Sequence, residues 1–178
     1  MPVAATFRLD RAAAERVDRL SRRLGERGIS QYRDRLGYPP HVTLVRCEDL
    51  ERDPALRALR RFAAQLAPHP IRLEALSCFR DDRSVLWLAP AFDAELRILQ
   101  QRLYTDLAPF LCEPMHCEPR SWVPHITLAA GLSAGEASAA MTLLSPEFQP
   151  IAGVLDRIEL VRFPPVEVEW TAIAAASS

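Results

Sequence analysis

The sequence predicts an α+β fold with two similar lobes, in which two antiparallel sheets flank a central cleft and helices lie on the outside. Segments with apolar residues at alternate positions, typical of strands, are interspersed with segments whose apolar residues recur at helical spacing. The order of these segments early in the chain recurs later, which indicates an internal duplication. The 178 residues are 49% hydrophobic and 25% charged, a balance typical of globular proteins. We therefore expect one domain over residues 1–178, made of two pseudo-symmetric lobes.

The first predicted unit is a strand, a helix and a second strand. Apolar residues alternate over residues 3–9, and Asp10 directly after them can cap a helix that ends at Gly25. A polar, arginine-rich connection over residues 26–37 then leads to a short strand over residues 41–46.

A helix and a hairpin follow this unit. Asp53 can serve as the N-cap of the helix and Pro54 as its first residue, and Pro68 lies beyond its end. Strands over residues 71–79 and 84–89 are separated by a polar turn, which predicts a β-hairpin.

The rest of the chain repeats this order of elements. The predicted elements are a helix capped by Asp93, a strand over residues 125–129, a helix whose capping box is Ser133 with Glu136, and strands near residues 154–163 and 166–172.

The duplication is also visible in the residues themselves. Residues 40–44 read PHVTL and residues 124–128 read PHITL. Phe79 follows the first of these histidines at the same distance as Phe163 follows the second. Shared offsets of this kind indicate two units with the same local fold.

Each repeated motif places an imidazole beside a hydroxyl. Residues two apart on a strand point to the same face, so His41 points with Thr43 and His125 points with Thr127. Cleavage of a phosphodiester needs a base to activate water and an acid to protonate the departing oxygen, and histidine can serve as either. The threonine hydroxyls can donate hydrogen bonds to the phosphate oxygens. Two facing motifs would let acid and base approach phosphorus from opposite sides.

The charge pattern limits the class of partner. A net charge of −1 argues against a protein that coats long nucleic acid, because such binding depends on a large positive charge. All 22 basic residues are arginine, and they are concentrated in the first part of the chain. Guanidinium groups match phosphate oxygens, so this part could help to hold a phosphate.

Other histidines and the cysteines do not predict a metal site. Cys112, His116 and Cys117 lie close together, but their spacing matches no familiar zinc motif. His69 and His116 lack the motif context, and we expect them on the surface or in loops. The sequence therefore predicts no metal and no cofactor.

No segment predicts a membrane span or a secretory signal. The apolar runs are shorter than the roughly 18 residues that a spanning helix needs. Residues 1–10 lack a basic region followed by a long apolar stretch. We expect a cytoplasmic protein with no membrane contact and no obligate protein partner.

The paired motifs resemble the two-histidine (2H) phosphoesterase superfamily, and within it the 2′-5′ RNA ligase group, over nearly the whole chain. The usual activity of that group is RNA 2′,3′-cyclic phosphodiesterase. The resemblance implies that His41 and His125 are catalytic and that Thr43 and Thr127 bind phosphate. It implies cyclic phosphate ends of RNA or nucleotides as substrate, with 2′-5′ ligation as the reverse reaction.

One departure from the family pattern leaves the substrate open. Members of the group often carry an arginine shortly after the second motif, where this chain has Ala130, although the first motif has Arg46 at the equivalent position. The alternatives are ADP-ribose 1″,2″-cyclic phosphate, 2′-5′ oligoadenylate, or a module that binds RNA ends or nucleotides without turnover. Arg46, Tyr38 and Trp122 are the predicted substrate contacts, since aromatic rings can stack on a base.

Overall fold

The computed structural model describes residues 1–175 and has the predicted α+β fold. The last three residues of the predicted domain, 176–178, lie outside the described residues. The strands are β1 Val3–Leu9, β2 His41–Leu50, β3 His69–Phe79, β4 Ser84–Pro90, β5 Leu111–Pro114, β6 Ile126–Leu132, β7 Ile151–Arg162 and β8 Glu167–Ile173. The helices are α1 Arg11–Glu26, α2 Tyr32–Leu36, α3 Arg52–Ala63, α4 Ala94–Leu107 and α5 Ala134–Leu144.

The strands form one antiparallel sheet in the order β5-β2-β1-β7-β3-β4-β6, with β8 also paired to β7, where the sequence predicted two sheets. Strand β7 joins two parts of this sheet. One of its edges pairs with β1, whereas the other edge pairs first with β3, over residues 151–155, and then with β8, over residues 157–162. We call β5, β2, β1, β8 and the adjoining part of β7 the first half-sheet, and β6, β4, β3 and the start of β7 the second half-sheet.

Each half-sheet combines strands from both sequence repeats. The first motif lies on β2, whose half-sheet is completed by β7 and β8 from the second repeat. The second motif precedes and enters β6, whose half-sheet contains β3 and β4 from the first repeat. The strands that follow each motif therefore cross to the half-sheet of the other motif.

Asp10 connects the first helix to the central strand. One of its carboxylate oxygens accepts the backbone N–H of Ala13 and so caps α1, as predicted. The other oxygen accepts the N–H of Val154 on β7 at 2.6 Å. Helix α1 approaches β7 so closely that a glycine is required at position 153, because a Cβ there would lie 2.4 Å from the Cβ of Ala13.

The capping predictions for the later helices agree with the structure in two cases and differ in one. The Asp93 side chain accepts the N–H of Leu96 at the start of α4, and Ser133 with Glu136 forms the capping box of α5. Helix α3 instead begins at Arg52, so that Asp53 lies inside its first turn rather than at its N-cap.

Two short elements were not expected. Helix α2 lies within the predicted polar connection, where Gly37 ends it in a left-handed conformation with φ of 61°. Strand β5 is mostly exposed and pairs with the extension of β2 beyond residue 46. The expectation of a surface or loop position is wrong for His69, which is buried at the start of β3 with its Nε2 2.6 Å from an oxygen of Asp93.

Among residues 1–175, no helix is both long enough and apolar enough to cross a membrane.

Candidate active site

The two motif strands face each other with matching patterns of burial. In each motif the histidine and the threonine are half-buried, whereas the residue between them and the two residues after the threonine are buried. Strands β2 and β6 approach to within 8 Å between Cα atoms, although they share no ladder of hydrogen bonds. The histidine and threonine of each strand therefore share one face, as the spacing predicts.

A bulge follows the threonine in both motifs. Along β2, Thr43 and Val45 oppose consecutive residues of β1, so Leu44 is the additional residue. Along β6, Leu128 is the additional residue in the same way, opposite consecutive residues of β4. Each bulge shifts the alternation of side chains between the two faces of its strand by one residue. Arg46 therefore lies on the same face of β2 as Thr43, and Ala130 lies on the same face of β6 as Thr127.

An open cavity of about 490 Å³ lies between the motif strands. Five of the site residues predicted from the sequence line it, namely Thr43, Arg46, Trp122, His125 and Thr127. His41 is not among the residues that line this cavity; it lies two residues before Thr43 on β2, on the same face of the strand.

Both motif histidines are oriented by the same local hydrogen bond. The Nδ1 of His41 lies 2.8 Å from the carbonyl oxygen of Pro39, and the Nδ1 of His125 lies 2.7 Å from that of Val123. A carbonyl oxygen can only accept, so Nδ1 carries the proton in each ring. The neutral imidazoles therefore hold their lone pairs on Nε2, the nitrogen that remains available for proton transfer.

Burial lowers the pKa of both imidazoles. It lowers the pKa of His41 to about 4, and the positive charge of Arg33 acts in the same direction, whereas the hydrogen bond to Pro39 opposes it. Burial also lowers the pKa of His125 below its usual value. In the free protein at neutral pH, both side chains are therefore uncharged.

The surroundings of the two histidines differ. His125 lies among aromatic rings, with the centroid of Phe79 at 5.1 Å and that of Trp87 at 5.7 Å. The ring of Tyr38 lies 4.8 Å from that of His41, and the Tyr38 hydroxyl donates to the buried Glu159 carboxylate at 2.6 Å. One imidazole thus rests against an apolar wall and the other against a polar network.

The predicted substrate contacts occupy three different environments. Arg46 lines the cavity with its guanidinium 5.1 Å above the ring of Phe163, and its buried Nε has no hydrogen-bond partner among the described residues. Trp122 also lines the cavity, but it is buried and donates its Nε1–H to the carbonyl of Thr43 at 2.9 Å. The structure corrects the expectation for Tyr38, which is buried behind His41 with its hydroxyl engaged and is not positioned to stack on a base.

Several cavity residues were not expected from the sequence. Tyr32 and Met115 come from segments that were predicted as irregular connections, and no pattern singled them out. Phe79 carried a signal, since Phe163 matches its distance from a motif histidine. The signal did not reveal that Phe79 contacts the histidine of the other motif, which follows from the crossing of β3.

The stretch around Cys112 and Cys117 does not gather metal ligands. Cys112 and His116 are exposed, whereas Cys117 is buried and its thiol donates to the carbonyl of Arg46. Within the described part of the chain, no three histidine, cysteine or acidic residues are grouped as a metal site would require.

The sequence matches one family pattern and resembles a Bacillus protein. The sequence pattern of the 2′-5′ RNA ligase superfamily matches residues 9–166. A Bacillus pumilus protein named "Putative phosphoesterase" is 32% identical over 104 residues, which cover 56% of this chain. The matched segment spans 57% of the length of that relative.

Solved structures share the fold at low sequence identity. Escherichia coli LigT complexed with 3′-AMP superposes with a TM-score of 0.63 at 16% identity, over 97% of this chain and 98% of that one. Usb1 of Kluyveromyces marxianus superposes with a TM-score of 0.51 at 10% identity, over 94% of this chain and 96% of that one. With its paired motifs, its fold and the match over most of its length, the chain belongs to the 2′-5′ RNA ligase superfamily of two-histidine phosphoesterases.

Proposed function

We propose that this protein is a metal-independent phosphodiesterase that hydrolyses 2′,3′-cyclic phosphate ends of RNA or nucleotides by acid–base catalysis with His41 and His125. One observation supports this proposal above the others. In both motifs a backbone carbonyl fixes the proton on Nδ1 and leaves Nε2 free, on strands that face each other across one cavity. Two imidazoles prepared in the same way suit a reaction that needs one base and one acid.

The proposed reaction breaks one bond to phosphorus and forms another. One imidazole removes a proton from water, and the resulting hydroxide attacks phosphorus while the bond to one ribose oxygen breaks. The other imidazole, protonated at this stage, gives its proton to that ribose oxygen, so that a phosphate monoester and a free hydroxyl result. A bound phosphate anion raises the pKa of an adjacent imidazole, which allows one of the two neutral histidines to take up the required proton.

The remaining cavity residues suit the charge of the substrate. The hydroxyls of Thr43 and Thr127 can donate to the non-bridging oxygens as negative charge develops on them. The Arg46 guanidinium can neutralise part of that charge, since its buried Nε has no hydrogen-bond partner among residues 1–175. We assign Arg46 and the wall at Trp122 to substrate contact, and Tyr38 to support of His41 instead.

The nucleotides bound by the structural relatives favour a nucleotide substrate. The E. coli LigT structure holds 3′-AMP and a K. marxianus Usb1 structure holds uridine monophosphate. The proposal includes the 2′,3′-cyclic substrate and, as the reverse reaction, 2′-5′ ligation. A cytoplasmic location stays a prediction from the sequence.

A substrate screen with two histidine variants tests this proposal. Purified protein is incubated with adenosine 2′,3′-cyclic phosphate, ADP-ribose 1″,2″-cyclic phosphate and 2′-5′ oligoadenylate, with and without EDTA, and the products are identified. We expect EDTA-resistant turnover of the first compound. His41→Ala and His125→Ala should each lower kcat by about 10²–10⁴-fold, and the double variant should be little worse than either.

A remote histidine gives the matched control. His69→Gln keeps a side-chain amide that can donate to Asp93, and we expect it to retain activity. Near wild-type turnover by either motif variant would contradict the paired mechanism. Turnover only with added zinc or magnesium would indicate a metal-dependent hydrolase, and tight binding without turnover would indicate a nucleotide-binding module.

A further inference from the structure

A buried carboxylate that the proposed reaction does not use lies behind His41. Glu159 on β7 is only 3% exposed, and three side chains donate hydrogen bonds to it. Tyr38 donates to one oxygen at 2.6 Å, and Arg8 and Thr171 donate to the other at 3.0 and 3.3 Å. Removing a carboxylate from water costs free energy, which these three donors offset.

Strand pairing places Arg8 directly beside His41. The two residues are opposite each other in the register of β1 with β2, so their side chains lie on the same face of the first half-sheet. The Cζ atom of Arg8 is 5.9 Å from the centre of the Tyr38 ring, which itself lies 4.8 Å from the His41 ring. A positive charge is thus next to the imidazole, on the face that carries the motif side chains.

Glu159 is the group that holds this charge in place. Its bond to Nη1 is the one side-chain hydrogen bond that Arg8 makes among residues 1–175, and the Nε of Arg8 is buried without a partner there. The same carboxylate holds the Tyr38 ring through its hydroxyl. One residue on β7 therefore fixes both the charge and the ring that flank His41.

The other charged groups near His41 are Arg33 on α2 and, when it is protonated, His125. Arg33 is paired with Asp18 on α1 at 3.0 Å, as Arg8 is paired with its own carboxylate. Burial and these charges lower the pKa of His41, and the charge of Arg8 acts in the same direction. The protonation of His41 therefore responds to the ion pair on the neighbouring strands.

Stability alone does not account for this ion pair. A buried salt bridge is often no more stabilising than apolar side chains of similar volume. Ala4 and Val161 occupy the next positions on the same face and form a small apolar cluster with Tyr38, so apolar residues fit this environment. A charged pair at this place has a use if its charge acts on the adjacent imidazole.

We infer that Glu159 is a positioning residue of the reaction, which fixes the Arg8 charge and the Tyr38 ring against His41 and so controls when His41 takes up a proton. The inference rests on the proposed function. With the ion pair in place, His41 stays neutral until the substrate phosphate brings a compensating negative charge. Neither Arg8 nor Glu159 needs to touch the substrate for this role.

The test measures the titration of His41 directly. The imidazole C–H signals are followed by NMR as a function of pH, and kcat/KM for adenosine 2′,3′-cyclic phosphate is measured over the same range. Arg8→Met removes the positive charge and should move the titration to higher pH by about 0.5 unit or more. Glu159→Gln removes the negative charge and should move it to lower pH, and the double variant should lie between the two. The acidic limb of the kcat/KM profile should move with the titration.

A matched ion pair on the other face of the half-sheet gives the control. Glu169 on β8 accepts from Arg162 at 2.8 Å and is also largely buried. Arg162 is opposite Val3, whose side chain lies on the face of β1 away from Arg8. Glu169→Gln should therefore leave the titration of His41 unchanged. Arg8→Lys, which keeps the positive charge, should stay near wild type.

The direction of each shift decides the outcome. Each single variant tests its own sign, so if one fails to fold the other still provides the test. Shifts in the same direction for Arg8→Met and Glu159→Gln, or no shift in either, would overturn the inference while leaving the proposed function intact. A shift of the His41 titration without a shift of the kcat/KM profile would do the same. Failure of the wild type to hydrolyse the substrate would overturn the proposed function and the inference together.

Discussion

Replacing Tyr38 by phenylalanine removes one hydroxyl from the network behind His41. That hydroxyl donates to an oxygen of the Glu159 carboxylate at 2.6 Å and lies 2.7 Å from the hydroxyl of Thr6. The carboxylate can only accept, so Thr6 must be the donor to Tyr38. All three side chains are buried, and Arg8 occupies the second oxygen of Glu159 at 3.0 Å. The variant therefore leaves one donor and one acceptor in the protein interior without a partner.

The expected loss of stability follows from these two bonds. A hydrogen bond to a charged group contributes about 1.5–3 kcal/mol, and a buried polar group left without its partner costs a similar amount. Because Arg8 and Thr171 still donate to Glu159, we expect the free energy of unfolding to fall by about 2–3 kcal/mol. For a protein of this size, that corresponds to a decrease in Tm of roughly 4–12 °C.

Thermal and urea unfolding measure this change, and Tyr104→Phe provides the control. Tyr104 is half-buried, and its hydroxyl has no hydrogen-bond partner within residues 1–175, so its removal should change stability little. The phenyl ring in Tyr38→Phe still packs against His41, and kcat should remain close to that of the wild type. Equal losses of stability in the two variants would refute the reasoning, because the hydrogen bonds would then contribute nothing.

Three further predictions concern the site and the fold. Thr43→Val and Thr127→Val should each lower kcat about 10-fold or more by removing a donor to the phosphate, whereas the serine variants should stay near wild type in the same assay. The pKa of His41 is about 4 in the folded protein against an ordinary value near 6.5, so the unfolded chain binds more protons between these values and stability decreases as pH falls through this window. Urea unfolding should show that His41→Gln removes roughly 3 kcal/mol of the wild-type difference in stability between pH 7 and pH 4, and parallel pH curves for the two proteins would contradict this. Gly153→Ala should destabilise by about 1–3 kcal/mol through its contact with α1, whereas Gly135→Ala, with open space around it on α5, should be neutral or stabilising in thermal unfolding.

The local features of the fold could be predicted because they depend on neighbours in sequence. The caps of α1, α4 and α5 and the hairpin of β3 with β4 require only residues a few positions apart. The shared face of His41 and Thr43 follows from strand alternation in the same way. The bulge at Leu44 could not be predicted, because apolar residues at consecutive positions also fit a strand that is buried on both faces.

The features that depend on distant pairing were not accessible from the sequence. Phe79 and Phe163 each follow a motif histidine at the same distance in sequence, and this indicated the duplication. That distance is the same whether the strand carrying the phenylalanine pairs within its own repeat or with strands of the other repeat. Tyr38 was predicted as a substrate contact, because nothing near it in sequence showed that its partner is Glu159, on a strand far along the chain. The five residues of α2 are too few and too polar to show helical periodicity.

The sharing of β7 between the half-sheets has a consequence for the independence of the two repeats. A fragment ending near residue 90 would contain β1 to β4 but lack β6 and β7, and would expose strand edges that invite aggregation. Neither repeat can therefore be excised as a module, although two fragments produced together could complete each other. Because one hydrogen-bonded strand runs through both walls of the cleft, the walls cannot swing apart about a flexible connection. We therefore expect discrimination between substrates to depend on the side chains along the walls.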